Sequence, residues 1–224
     1  MAIRPTDFYD QLVRHGVDFF SGVPDSLLKE FCLCIDDRIP KDRHIITANE
    51  GNAVALATGY YLAQKSLPLV YMQNSGLGNA VNPLLSLCDP DVYSIPMLVM
   101  IGWRGEPGVK DEPQHAKQGK VQLKLLESID IPYKIISKDD DQFVMKISSA
   151  VETAKNESSR RYFKTFMASD QPAISCFAAG HSKGSNPMEH PIPMHADPWC
   201  GQDAPATGPP VSFGFGHTRV FRRD

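Results

Sequence analysis

Over its first two thirds the chain alternates short β-rich runs with longer helical stretches, and that alternation restricts it to an α/β fold. Residues 18–22, 44–48, 68–72, 96–101 and 133–136 read as strands. The run from Pro96 to Ile101 is apolar throughout, as a strand covered on both faces should be. Helices are expected over residues 7–15 with Thr6 as cap, and after Asp25 or Ser26, where Leu27, Leu28 and Phe31 would share a buried face. Further helices are expected over 51–64, from Asn79 to about Cys88, over 121–129 and over 139–155. Five strands joined by helices predict a parallel, doubly wound sheet, with ligands at the carboxyl ends of the strands. That rule selects four loops: residues 22–26, 49–52, 73–79 and 102–115.

Composition narrows the function. A formal charge of −3, with 22% charged residues, argues against a nucleic-acid binder, which needs a basic stripe. No apolar run approaches the roughly 20 residues that cross a bilayer, so no membrane partner is expected. The start lacks the apolar core of a secretory signal. Cys32, Cys34, Cys88, Cys176 and Cys200 are an odd number without a CxxC pair, which reads as free thiols in a reducing compartment. The expectation is a soluble cytoplasmic protein. After about Asn156 the periodicity weakens and eight prolines accumulate. The chain therefore divides into a domain over residues 1–157 and an irregular tail over 158–224. Within the tail only residues 173–177 are β-compatible enough to join a sheet edge.

Each of the four loops has a plain structural reading beside a chemical one. Glu50 opens an Ala-rich helix, where a first-turn carboxylate complements the helix dipole. The Gly/Asn loop of residues 73–79 is either a tight turn or a set of backbone amides facing a ligand. Gly22-Val23-Pro24-Asp25-Ser26 suits a capped helix start. Residues 103–115 hold an Arg, a Lys, three acids and a His at a strand end, in a composition common to surface loops and to sites.

Taken together, the segments GVPDS, TANEGNAVALATGYYLA, QNSGLGNAVNPL and GWRGEPGVKDEPQHAKQGK occur in that order between about Pro5 and Asn156. They resemble the pyrimidine-binding domain of the thiamine-diphosphate enzymes, within them the phosphonopyruvate decarboxylases. The resemblance implies the thiamine-diphosphate-binding α/β fold and thiamine diphosphate as cofactor. It also implies carboxy-lyase chemistry on a small 2-oxo acid: 3-phosphonopyruvate to phosphonoacetaldehyde and CO₂. By the same resemblance Glu50 would bond a pyrimidine ring nitrogen of the cofactor. Asp25 and His115 match an acid–imidazole pair over the reacting carbon, where a His near neutrality suits proton transfer. Gln73, Asn74, Ser75 and Asn79 would line the cofactor. Ser26, Arg104 and Lys110 would meet the substrate, whose phosphonate carries about two negative charges.

Part of the family pattern is absent from the sequence. There is no Gly-Asp-Gly stretch and no Asn-containing metal motif after one, so Mg²⁺ and the diphosphate must be held by a domain this chain does not contain. His181, His190, His195 and Cys200 fit no common zinc spacing, and no metal ligand is assigned. The chain is expected to supply half a site, inactive alone, as a homo-oligomer or paired with a diphosphate-binding subunit. Three alternatives stand beside that expectation: an alpha subunit like that of sulfopyruvate decarboxylase, a truncated or alternatively spliced product, and a non-catalytic module that regulates a full-length relative.

Overall fold

The computed structural model describes residues 2–155 and the backbone of residues 163–168. Its centre is a six-stranded sheet of β1 (Phe20–Gly22), β2 (His44–Ile46), β3 (Leu69–Gln73), β4 (Met97–Gly102), β5 (Tyr133–Ile136) and β6 (Phe163–Ala168). The strands run in the order β2-β1-β3-β4-β6-β5, and every pair is parallel. The helices are α1 (Pro5–Arg14), α2 (Lys29–Arg38), α3 (Glu50–Gln64), α4 (Leu77–Pro83), α5 (Ala116–Ser128) and α6 (Phe143–Lys155).

The strand alternation divides the core. Leu69, Tyr71, Leu98 and Met100 point to one face, where they meet Leu12 of α1, Phe31 and Ile35 of α2, and Ile147 and Val151 of α6. Val70, Met72, Met97, Val99 and Ile101 point to the other, against Ala53, Val54 and Ala57 of α3, Leu77 and Ala80 of α4, and Leu126 of α5. With helices on both faces, neither parity of a central strand reaches water, which is why β4 is buried at every position. From β1 the chain passes first to β2 on one side and then to β3 on the other. The direction of winding therefore reverses at β1/β3 and opens a crevice at their carboxyl ends.

Several expectations are corrected. The sheet has a sixth strand, β6, which lies within the stretch assigned to the irregular tail and past the boundary at 157. It pairs with β4 and β5 rather than extending an edge. Residues 173–177 lie outside the described residues. Thr6 does not cap α1: Arg4 is its N-cap, with Pro5 at the first helical position, where the missing N–H costs nothing. Neither Asp25 nor Ser26 caps α2, which begins after Leu28. Leu28 and Phe31 are buried as expected, but Leu27 precedes the helix and is only half-buried. Residues 73–79 do not form an open loop: a 3₁₀ turn over Asn74–Gly76 runs straight into α4. Helix α5 starts at Ala116, well before Val121.

Candidate active site

Glu50 stands on the first turn of α3, whose Asn49 N-cap accepts a hydrogen bond from the Asn52 amide at 3.0 Å. First-turn carboxylates usually face water. Glu50 instead turns inward, and only 8% of it is exposed. Its Oε2 accepts from Asn79 Nδ2 at 2.8 Å, and its Oε1 lies over Gly76, where any Cβ would overlap it. The carboxyl is thus held from two sides by the segment that follows β3.

That segment also reaches the loop after β4. Gln73 Nε2 donates to Ser75 Oγ at 2.7 Å and lies 3.5 Å from Nδ1 of His115, the residue before α5. Asn74 is buried and uses both ends of its amide: Nδ2 donates to the Arg104 carbonyl at 2.8 Å, and Oδ1 accepts from the Arg104 amide at 3.3 Å. It splices the two loops together. A contiguous arc therefore runs from Asn79 and Glu50 through Gly76, Ser75 and Gln73 to His115, with Ser75 and Asn79 exposed at its rim.

Asp25, in the loop after β1, is 6% exposed and accepts from the Leu27 amide at 3.2 Å. Its carboxyl packs on Gly102, the last residue of β4. Burial raises its pKa above the ordinary carboxylate value. The Leu27 amide, the Arg104 guanidinium, the Ser26 amide and His115 oppose that rise without overcoming it. A carboxyl that resists ionisation, within electrostatic reach of an imidazole, is suited to handling a proton.

Arg104 is committed elsewhere. Its Nε and Nη2 form a two-pronged bond to Asp111, at 2.8 and 2.5 Å, and its Nη1 donates to Ser26 Oγ at 2.6 Å. Asp111 also accepts from the amides of Gly105 and Glu112, both at 2.7 Å. The Arg104 side-chain bonds above all hold its carboxyl far below the usual carboxylate range. Trp103 Nε1 donates to the Gly119 carbonyl at 2.9 Å; Gly105, at φ +69°, lies against the His115 backbone and Gly119 against the Gly105 backbone, so neither could carry a side chain unmoved. Residues 103–119 are therefore a folded strap, braced on itself and tied to the β1 loop through Ser26.

The structure brings Glu50, Gln73, Asn79, Asp25, His115, Ser26 and Arg104 to one end of the sheet. It turns the amide of Asn74 to a bracing role. Lys110 is exposed and makes no hydrogen bond among the described residues. Sequence reasoning missed Asp111, Gly76 and Gly102, which respectively brace Arg104 and accommodate Glu50 and Asp25. Only the length and acid content of the 103–115 loop hinted at the first. Among the described residues no cluster of His, Cys, Asp and Glu could hold a metal ion, and no helix is long and apolar enough to cross a membrane.

Residues 6–126 match the model of the thiamine pyrophosphate enzyme, N-terminal TPP binding domain. The chain is 39% identical over 141 residues to a phosphonopyruvate decarboxylase of Streptomyces viridochromogenes, covering 62% of this chain and 34% of that one. It is 37% identical over 149 residues to sulfopyruvate decarboxylase subunit alpha of Methanococcus maripaludis, covering 66% of this chain and 85% of the subunit. The match thus spans about a third of the phosphonopyruvate decarboxylase but most of the alpha subunit. Among solved structures, benzoylformate decarboxylase of Polynucleobacter necessarius superposes with a TM-score of 0.53 at 16% identity, over 81% of this chain and 33% of that one. The thiamine diphosphate-dependent 4-hydroxybenzoylformate decarboxylase of Rhodococcus jostii does so at 0.50 and 19%, over 73% and 29%. The solved structures establish the shared fold, and the family match extends over more than half the chain: it belongs to the thiamine pyrophosphate enzymes, as an N-terminal TPP binding domain.

Proposed function

We propose that this chain supplies the pyrimidine-binding half of a 2-oxo-acid decarboxylase and completes its site with a diphosphate-binding partner. The observation that carries the reading is Glu50: a nearly buried carboxyl at the sheet's reversal point, fixed by Asn79 and packed on Gly76. A buried carboxyl facing a crevice fits a heteroaromatic ring nitrogen, with which it can share a proton. Thiamine diphosphate, when bound, supplies the carbon nucleophile and the electron sink that decarboxylation of a 2-oxo acid requires. This chain's residues then have three tasks. Glu50 holds a proton at the ring nitrogen. Asp25 and His115 deliver a proton to the carbon that has lost CO₂. Gln73, in contact with His115, orients the imidazole, and Ser75 and Asn79 border the ring.

The substrate class follows from the cation near the mouth. Arg104 holds Ser26 with one nitrogen while Asp111 balances its charge. A second anion, on the far end of a short 2-oxo acid, would find the guanidinium edge, the Ser26 hydroxyl and the exposed Lys110. We infer 3-phosphonopyruvate as the substrate, with 3-sulfopyruvate as the second candidate. The match over most of an alpha subunit favours a two-chain enzyme, in which Mg²⁺ and the diphosphate are held by the partner chain.

The helix that carries Glu50 supports a partner. Its outward arc, formed by Asn52, Ala55, Leu56, Gly59, Leu62 and Ala63, is exposed and contains no charge, whereas a solvent-facing helix normally carries charged residues there. The test is CO₂ release from 3-phosphonopyruvate and from 3-sulfopyruvate with thiamine diphosphate and Mg²⁺. The chain is assayed alone and with a separately expressed diphosphate-binding subunit. Turnover should require both chains and vanish in Glu50→Gln. Turnover by the chain alone would refute the half-site reading. None with any partner, on either substrate, would refute the decarboxylase reading.

A further inference from the structure

We propose that Gly102 and Gly76 are positioning residues, each leaving the space in which one carboxyl of the site is seated: Asp25 on Gly102 and Glu50 on Gly76. The other close-packed glycines contrast with these two. A Cβ at Gly22 would strike the Tyr71 carbonyl, at Gly105 the His115 backbone, and at Gly119 the Gly105 backbone. Those glycines allow main chains to approach. Among the described glycines only Gly102 and Gly76 have a carboxyl oxygen as the nearest neighbour of the missing Cβ.

At Gly102 the overlap is confined to Asp25 Oδ2. The next neighbours, Asp25 Cγ and Leu27 Cβ, would stand 3.5 Å away, in ordinary contact. At Gly76 all three nearest atoms, Oε1, Cδ and Cγ, belong to Glu50. Neither position needs glycine for its backbone: Gly76 has φ −77°, and Gly102 ends a regular strand. An alanine therefore fits either backbone and evicts one flexible carboxyl. The two seats lie at the ends of adjacent strands, at the last residue of β4 and in the turn after β3, so one strand pair sets where both carboxyls sit.

The effect on Asp25 is specific. Its carboxyl is sheltered by β4 and faces Arg104, His115, Cys32 and the amides of Ser26 and Leu27. Eviction from Gly102 exchanges that shelter for water and relieves the charged form of its desolvation cost. The seating is a statement of packing. Its consequence for turnover rests on the decarboxylase reading above.

Gly102→Ala and Gly76→Ala in the full chain test both levels. Carboxyl ¹³C resonances are followed through a pH titration, alongside thermal melting and turnover with the diphosphate-binding subunit. Both variants should fold and melt no lower than the parent, since alanine restricts the unfolded chain more than glycine does. Gly102→Ala should lower the Asp25 midpoint toward an ordinary carboxylate and leave the Glu50 resonance in place. Gly76→Ala should shift the Glu50 resonance and leave Asp25 unchanged. Turnover should fall on the order of 10- to 100-fold in each. Carboxyl resonances and midpoints that match the parent in both variants overturn the proposal. If the carboxyls move while turnover holds, the seats stand and the catalytic assignment of Asp25 and Glu50 fails. If Gly102→Ala does not fold, Asp25→Ala/Gly102→Ala should, because the obstructing group is gone. A double variant that also fails to fold makes Gly102 a backbone requirement and overturns the proposal for that seat.

Discussion

Asn79 Nδ2 donates to Glu50 Oε2 across 2.8 Å and so ties the first turn of α4 to the first turn of α3. Glutamine at position 50 still offers a carbonyl oxygen to Asn79, so Glu50→Gln should keep its melting stability within about 1 kcal/mol of the parent. In the two-chain enzyme its turnover should drop by roughly 10²- to 10⁴-fold, the range of a lost proton-transfer group. Asn79→Ala takes the side-chain donor from a nearly buried carboxyl and should cost about 1–3 kcal/mol. It frees the carboxyl to rotate, and about a tenfold loss of turnover is expected. Melting curves and single-turnover rates on both variants check the pair.

Asp25 and Asp111 should respond to pH in opposite senses. Burial raises the Asp25 pKa in the folded chain, so between its unfolded and folded values the native state binds more protons and stability falls as pH rises. Asp25→Asn should therefore be more stable than the parent near pH 7, with the gain shrinking as the pH falls through the raised folded value and gone below the ordinary aspartate range. The same variant should lose most activity in the two-chain assay. Urea midpoints at pH 7 and below pH 4 decide the sign; an equal midpoint difference at both would show that desolvation does not govern this carboxyl.

The Asp111 carboxyl is held below its ordinary range, chiefly by the Arg104 side chain, so its contribution is present above the unfolded pKa and lost as pH falls through the folded one. Asp111→Asn should cost about 2–3 kcal/mol at neutral pH and progressively less in acid, since it removes charged acceptors from Arg104 and two backbone amides. Because the Arg104 bond is two-pronged, Arg104→Lys should not restore what Arg104→Ala loses. The strap should loosen first. Hydrogen exchange at Gly105 and Glu112, whose amides donate to Asp111, reads that loosening directly.

Much of this was legible in the sequence, for definite reasons. A central strand buried on both faces must be apolar at every position, which made Met97–Gly102 and residues 69–72 of β3 readable as strands. Glu50 was legible because a long motif surrounds it. β6 was not. Its sequence, Phe163–Ala168, follows two arginines, and its ladder is supplied by β4 and β5, which are distant in the chain. The packing of the loop after β4 was half legible. Arg104 was visible as a cation in a loop, but Asp111 resembles any loop acid until the strap brings positions 104 and 111 together. Asn74 and Asn79 look equivalent as letters. One braces the Arg104 backbone and the other holds Glu50, and only the winding of the 3₁₀ turn into α4 distinguishes them.

The small residues of α3 illustrate the same limit and lead to the last prediction. Ala53, Ala55, Ala57 and Gly59 read as one close-approach stripe, but at 3.6 residues per turn they divide between faces. Ala53 and Ala57 are fully buried against the sheet, while Ala55 and Gly59 face outward beside Leu56, 44% exposed, and Leu62, 53% exposed. A charge at Ala57 would therefore test the core and not association: Ala57→Asp should fail to fold. Leu62→Asp places its charge on the outward arc, where little packing is lost among the described residues, so its melting temperature should stay within a few degrees of the parent. If that arc meets a second copy or the diphosphate-binding subunit, the variant should sediment as a smaller species and need a higher partner concentration for turnover. Its turnover at saturating partner should match the parent. Sedimentation velocity over a range of concentrations, together with a partner titration of activity, separates these outcomes. A Leu62→Asp chain that associates as strongly as the parent would move the interface to another face.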